Sequence, residues 1–250
     1  MNNRYNKWLN DNGISESDKE ILKNMTERAL KLINMVLTHE GGYSSGNEKQ
    51  TKGDKGKETY CGISRVYNPN WDGWKIIDRH KPIKYNAKIK DSKLEASVKQ
   101  YYYTNYYYPL KCEQFTSLLI AGHLFCHGVN AGIKTSAKLL QKAINNVYKI
   151  HITVDGIVGA NTLKYANGSK MKSVESEFIK LRNQYYKNIT IKNPSQNKFL
   201  NGWYNRVKNT TKVCSGSSIN LLFTSLSEGG FIPKILSFIY DLIQLLTKKA

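Results

Sequence analysis

Residues 40–64 read EGGYSSGNEKQTKGDKGKETYCGIS, and the reading of this stretch decides the fold. It follows the run RALKLINMVLTHE, in which Ala29, Leu32, Ile33, Val36 and Leu37 recur at i, i+3, i+4, i+7 and i+8. That spacing predicts an amphipathic helix with one apolar face, and Glu40 is the next residue on that face. The pattern that buries the helix therefore also carries one carboxyl toward the interior, and Gly41 and Gly42 are expected to end the helix. A carboxyl in a half-apolar place resists ionisation and can act as a general acid. The polar, glycine-rich loop then returns Asp54 and Thr59, and residues 59–66 are expected to form a short hairpin-like or irregular stretch.

Two motifs in this stretch resemble glycoside hydrolase family 108, the N-acetylmuramidases of the lysozyme-like superfamily. Glu40, Gly41, Gly42 and Tyr43 match the first, while Asp54, Gly56, Thr59, Gly62, Ile63 and Ser64 match the second. Lys57 stands where the family has a second glycine. Further along, LFCHGVNAGIKTSAKLLQKAI (residues 124–144) is similar to the family's Phe-Asp-x-x-Val-Asn-x-Gly helix, with Cys126 in place of the Asp. VDGIVGANTL (residues 154–163) resembles the Asp-Gly turn of the peptidoglycan-binding module usually fused there, and the closing motifs match through Arg182, Tyr186, Gly202, Trp203 and Arg206.

The resemblance spans residues 27–212 and implies a mainly α, lysozyme-like helical fold, with a small irregular or β loop region next to the catalytic helix. It implies a peptidoglycan hydrolase of the phage endolysin type, used in host cell lysis and cleaving the β-1,4 bond between N-acetylmuramic acid and N-acetylglucosamine. Glu40 is then the general acid, Asp54 the base or electrostatic stabiliser, and Thr59 the holder of the attacking water. Substrate contacts are expected at Tyr43, Glu58, Tyr106, Asn130 and Asp155, with Glu58 as the reserve second acid. Two alternatives stay open: a catalytically inactive muramidase-like wall-binding or scaffolding module, and a lytic transglycosylase, in which the substrate's own hydroxyl closes the ring.

A net charge of +19, from 38 basic and 19 acidic residues in a chain of 250, favours a polyanionic partner. The basic residues are spread along the chain and form no nucleic-acid motif, so peptidoglycan glycan strands are the expected partner and nucleic acid is not. Cys61, Cys112, Cys126 and Cys214 lack metal-site or disulfide-framework spacing. His123 and His127 lie i, i+4 on a predicted helix, but without a neighbouring carboxylate the pair reads as packing, and no metal or cofactor is expected. The N-terminus lacks a signal-peptide pattern, so synthesis in the host cytoplasm and action on the wall after release are expected.

The organisation read from the sequence is a polar lead (1–26) with a short helix near residues 17–25, a catalytic lobe (27–117), a helical peptidoglycan-binding lobe packed on it (118–212), and a linker with an amphipathic helix (213–250). Helices are expected over about 92–108, 118–128, 134–147, 159–167 and 174–187, the first of them carrying six tyrosines in eight residues. CSGSS, from Cys214, reads as the linker. In the tail, Ile232, Ile235, Leu236, Ile239, Ile243 and Leu246 lie at helical spacing, so this segment docks on the core, pairs with itself or lies on an anionic membrane.

Overall fold

The structure, a computed structural model, describes residues 25–47 and 57–228, with side chains as far as residue 215. Residues 17–24 of the helix expected near 17–25, Asp54 of the loop and the apolar tail positions from Ile232 onward lie outside the described residues, and Met25 is not helical. Helix α1 (Glu27–Leu37) is capped by Thr26, whose Oγ1 accepts from the Ala29 N–H at 3.1 Å. It buries Ala29, Leu32, Ile33, Met35 and Val36, while Leu37 is only half-buried. The helix stops three residues before Glu40, with Thr38 as its C-cap and the His39 N–H turned back to the Val36 carbonyl at 2.9 Å. Glu40 is thus on a turn beyond the helix, and helical phase alone does not place it.

The chain then forms a three-stranded antiparallel sheet in the order β1 (Tyr43–Ser44), β2 (Thr59–Tyr60), β3 (Ile63–Ser64), with Tyr43 opposite Tyr60 and Tyr60 opposite Ile63. The β2–β3 loop is the dipeptide Cys61–Gly62, with φ of +46° and +78°. Positive φ at both central residues is the hairpin turn whose twist matches the flanking strands, so the expected hairpin is present. Helix α2 (Gly73–Arg79) follows, then α3 (Ser92–Tyr102), capped by Asp91 through the Leu94 N–H at 2.9 Å. From Tyr103 to Tyr107 the helix widens into a π-helical turn before Pro109. The widened turn sorts the tyrosines into two stacked pairs, Tyr102 with Tyr106 at 5.8 Å and Tyr103 with Tyr107 at 5.4 Å.

Helix α4 (Leu118–Ala131), capped by Ser117, is buried continuously from Ile120 to Gly128. A helix apolar on every side must be surrounded, and α4 is packed by α1, by α5 (Ile133–Tyr148), by α7 (Met171–Lys192) and by α8 (Asn197–Glu228). The short α6 (Ala160–Ala166) bridges α5 and α7. One buried apolar cluster runs from Met25 to Cys214, so the second half of the described chain shares its core with the first. The CSGSS segment is not a linker: its backbone continues α8, and Cys214, 1% exposed, packs where α8 crosses Gly122 of α4. A Cβ at Gly122 would collide with the Cys214 sulfur, so this close helix crossing overrides the loop-like composition. All four cysteines are free and buried, and no described helix is long and apolar enough to cross a membrane.

His123 and His127 face the α4–α7–α8 interior, fully buried. His123 Nδ1 accepts from Arg182 and its Nε2–H lies 3.1 Å from Thr211 Oγ1, while His127 Nδ1 lies 3.1 Å from the Tyr186 hydroxyl. These are packing roles, and among the described residues no group of three His, Cys, Asp or Glu is placed to hold a metal ion. Burial first, and the Arg182 charge second, hold both imidazoles well below the ordinary histidine value of 6.5. The unfolded chain therefore binds protons that the folded one refuses. Their contribution to stability is complete above pH 6.5 and falls as pH drops below it, by up to about 1.4 kcal/mol per pH unit for each histidine. Urea midpoints measured from about pH 7.5 to about pH 5 should decline; a flat profile would contradict the buried neutral pair.

Candidate active site

Glu40 is held between two parts of the chain that are far apart in sequence. Its Oε1 accepts from Arg206 Nη1 of α8 at 2.9 Å, and Arg206 Nη2 donates to the His39 carbonyl at 3.2 Å. Asn209, one turn further along α8, contacts the His39 ring nitrogen at 2.9 Å. On the other side Oε2 faces the hairpin turn, because a Cβ built on Gly62 would lie 2.6 Å from Glu40 Oε2 and 2.8 Å from the Tyr102 hydroxyl. The side chain of Glu40 is 16% exposed and that of Arg206 21%, so the pair is partly desolvated and still open on one side. Burial opposes the Arg206 charge, but the Glu40 carboxylate more than offsets this and raises the guanidinium above its ordinary value.

The wall behind the carboxyl is aromatic. Tyr102, 2% exposed, donates to the Cys61 carbonyl at 2.6 Å and so ties α3 to the hairpin turn. Tyr106 is half-buried and stacks on Tyr102. Burial, and then the Glu40 charge among other neighbours, push the Tyr102 phenol far up, and Tyr106 is raised chiefly by burial. Cys61 is pushed up to about 11 by burial. These groups are neutral at physiological pH.

The residues expected from the sequence divide into two sets. Glu40 and Tyr106 come together at this carboxyl, and Thr59 is on β2 between Ser44 and Ser64, two residues before the Cys61–Gly62 turn. Tyr43 and Glu58 do not present free faces to a substrate. Tyr43 is 6% exposed and its hydroxyl donates to Glu58 Oε1 at 3.0 Å. Glu58 also takes Lys81 at 2.8 Å and Arg65 at 2.6 Å, so its oxygens are committed to holding the sheet to the segment after α2. Asn130, at the exposed end of α4, accepts from the Tyr186 hydroxyl at 2.9 Å, and Tyr186 stacks on Trp203. Asp155 belongs to the α5–α6 connection, where it accepts from Gln141 at 2.7 Å and from the Ile157 N–H at 2.8 Å. That is the bonding of a turn scaffold.

Arg206 is the site residue that pattern reading left without a role. The signal for Arg206 was its place in FLNGWYNRV; nothing in local spacing pairs it with an acid 166 residues away.

Cys126 is buried, 1% exposed, with Sγ 3.8 Å from Arg182 Nη2. Arg182 is fully buried, and its Nε has no hydrogen-bond partner among the described residues. The position that carries Asp in the resembling family is therefore a counter-ion position for a buried arginine. Cys126→Asp is expected to stabilise the fold by about 1.5–3 kcal/mol through a charge-assisted pair. A lowered thermal midpoint for Cys126→Asp would contradict that assignment.

Comparison with known proteins agrees with this geometry. Residues 33–132 match the family described as Glycosyl hydrolase 108, and residues 135–208 match the family described as Predicted Peptidoglycan domain. The two matches meet at the α4–α5 junction. No curated protein matches the sequence. The solved structure of Brucella abortus SagA is similar in fold, with a TM-score of 0.51 at 19% identity over 75% of this chain and 94% of that one. The mainly α fold with its small sheet and the two successive matches describe one arrangement: residues 33–132 are a segment similar to the glycosyl hydrolase 108 family, joined to a segment similar to a peptidoglycan domain at residues 135–208.

Proposed function

We propose that the protein is an N-acetylmuramidase that hydrolyses the β-1,4 bond between N-acetylmuramic acid and N-acetylglucosamine. The observation that carries this reading is the carboxyl of Glu40, partly desolvated and clamped between Arg206 and the Cys61–Gly62 turn inside the matched hydrolase segment. Glycoside hydrolysis needs a proton for the leaving oxygen and a second group to meet the oxocarbenium charge. Glu40 gives its proton to the leaving glycosidic oxygen as the C–O bond breaks. Water adds at the anomeric carbon and passes its proton to Asp54, the carboxylate that the loop motif returns, with Thr59 orienting the water. Among the described residues Glu58 is a poor substitute for Asp54, because Tyr43, Arg65 and Lys81 already occupy its oxygens.

The peptidoglycan domain and the +19 charge support an acidic cell wall as the substrate surface. Purified protein should clear suspensions of purified peptidoglycan and release reducing ends. Intact walls carrying bound protein would support the inactive wall-binding reading instead. Contact of the tail with an anionic membrane is proposed on sequence grounds alone, from the apolar spacing of Ile232 to Leu246 and the following lysines. Deleting residues 229–250 should then abolish binding to anionic vesicles and leave hydrolysis of purified walls intact; unchanged vesicle binding removes the proposal.

A further inference from the structure

We infer that Arg206 of the peptidoglycan domain is the positioning residue of the catalytic carboxyl, fixing which oxygen of Glu40 carries the proton. The inference rests on the muramidase reading above and concerns a residue that the hydrolase segment does not itself contain, since Arg206 lies in the 135–208 match.

Glu40 needs such a residue because α1 ends at Leu37 and leaves the carboxyl on a turn that glycines follow. The guanidinium supplies what the helix does not. One nitrogen of its planar fork binds Oε1 and the other binds the backbone carbonyl of His39, so side chain and main chain are fixed by one rigid group. Asn209 holds the His39 ring from the same helix. Arg206 has only hydrogens to donate, so Oε1 is an acceptor whether Glu40 is ionised or neutral. The proton of the neutral acid then belongs on Oε2, the oxygen turned toward Gly62 and the Tyr102 hydroxyl.

The charged and titratable groups around the carboxyl are Arg206 from α8, His39 on the same turn, Cys61 in the hairpin turn, and Tyr102 and Tyr106 from α3 and its π-helical continuation. Lys88 lies behind the turn, 3.5 Å from the Leu37 carbonyl. Arg206 is the one cation in direct contact with Glu40 among the described residues. Its removal both loosens the carboxyl and withdraws a charge that favours the ionised form.

Arg206→Gln should lower kcat by about 100-fold with a small change in KM, since misplacement of about 1 Å has this effect on a catalytic group. The upper limb of its pH–activity profile should move to higher pH. Arg206→Lys keeps the charge but cannot span both acceptors, so it should restore the position of the pH limb and only part of kcat. Near-wild-type kcat with an unmoved limb in Arg206→Gln, in a protein that unfolds cooperatively, would overturn the inference. A carbon-13 NMR titration of the Glu40 carboxyl separates this from failure of the muramidase reading. Wild type inert on walls removes the muramidase reading and the catalytic role together. A titration midpoint that rises in Arg206→Gln supports the clamp on Glu40, and an unmoved midpoint overturns it.

Discussion

Glu40→Gln is expected to reduce hydrolysis of purified peptidoglycan by about 100- to 10,000-fold, the range a single general acid contributes. The amide keeps the shape of the side chain and can still accept from Arg206 through its oxygen. It has no proton to give to the leaving group. KM should change little, because the loss falls on an interaction made as the bond breaks. The thermal midpoint should shift little as well, since the Arg206 contact is partly exposed and partly retained. Activity within a few-fold of wild type would remove Glu40 from the mechanism.

Gly62→Ala should be nearly as damaging to activity, for a reason that lies in the backbone. Gly62 has φ of +78°, which strains any residue with a Cβ, and that Cβ would meet both Glu40 Oε2 and the Tyr102 hydroxyl. Neither neighbour can yield freely. Glu40 is pinned by Arg206, and Tyr102 is buried and bonded to the Cys61 carbonyl. The substitution therefore displaces the carboxyl, and a loss of at least about 100-fold in kcat is expected. Gly132→Ala provides the control. Gly132 also has a positive φ, +91°, but nothing lies within 4 Å of a Cβ there. It should destabilise the α4–α5 junction and leave kcat of the folded fraction unchanged. Equal activity losses in the two variants would mean that backbone strain, not contact with Glu40, is responsible.

The helices read from the sequence were legible because their apolar spacing is local, whereas α2 and α8 were not among them. Thr26, Asp91 and Ser117 each cap a helix that the pattern predicts, and the stretch expected to be hairpin-like or irregular forms a hairpin at Cys61–Gly62. What local pattern does not carry is what long-range contact decides. Cys214 and its serine- and glycine-rich neighbours read as a linker, yet the crossing of α8 over Gly122 keeps them helical. Tyr43 and Glu58 stand inside the motifs, but their bonding to each other and that of Glu58 to Arg65 and Lys81 is set by the fold and not by local spacing. The Arg206–Glu40 pair joins the two matched segments, so no window of sequence contains it. Cys126 could be identified as a departure from a family pattern, but its meaning required Arg182 beside it.

The central claim, that Glu40 donates a proton in hydrolysis of the muramic acid linkage, is tested most directly by mass spectrometry of the fragments released from purified peptidoglycan. The account predicts fragments ending in reducing N-acetylmuramic acid from wild type and essentially none from Glu40→Gln. Fragments ending in 1,6-anhydro-muramic acid, in reducing N-acetylglucosamine, or released equally by both proteins would contradict it.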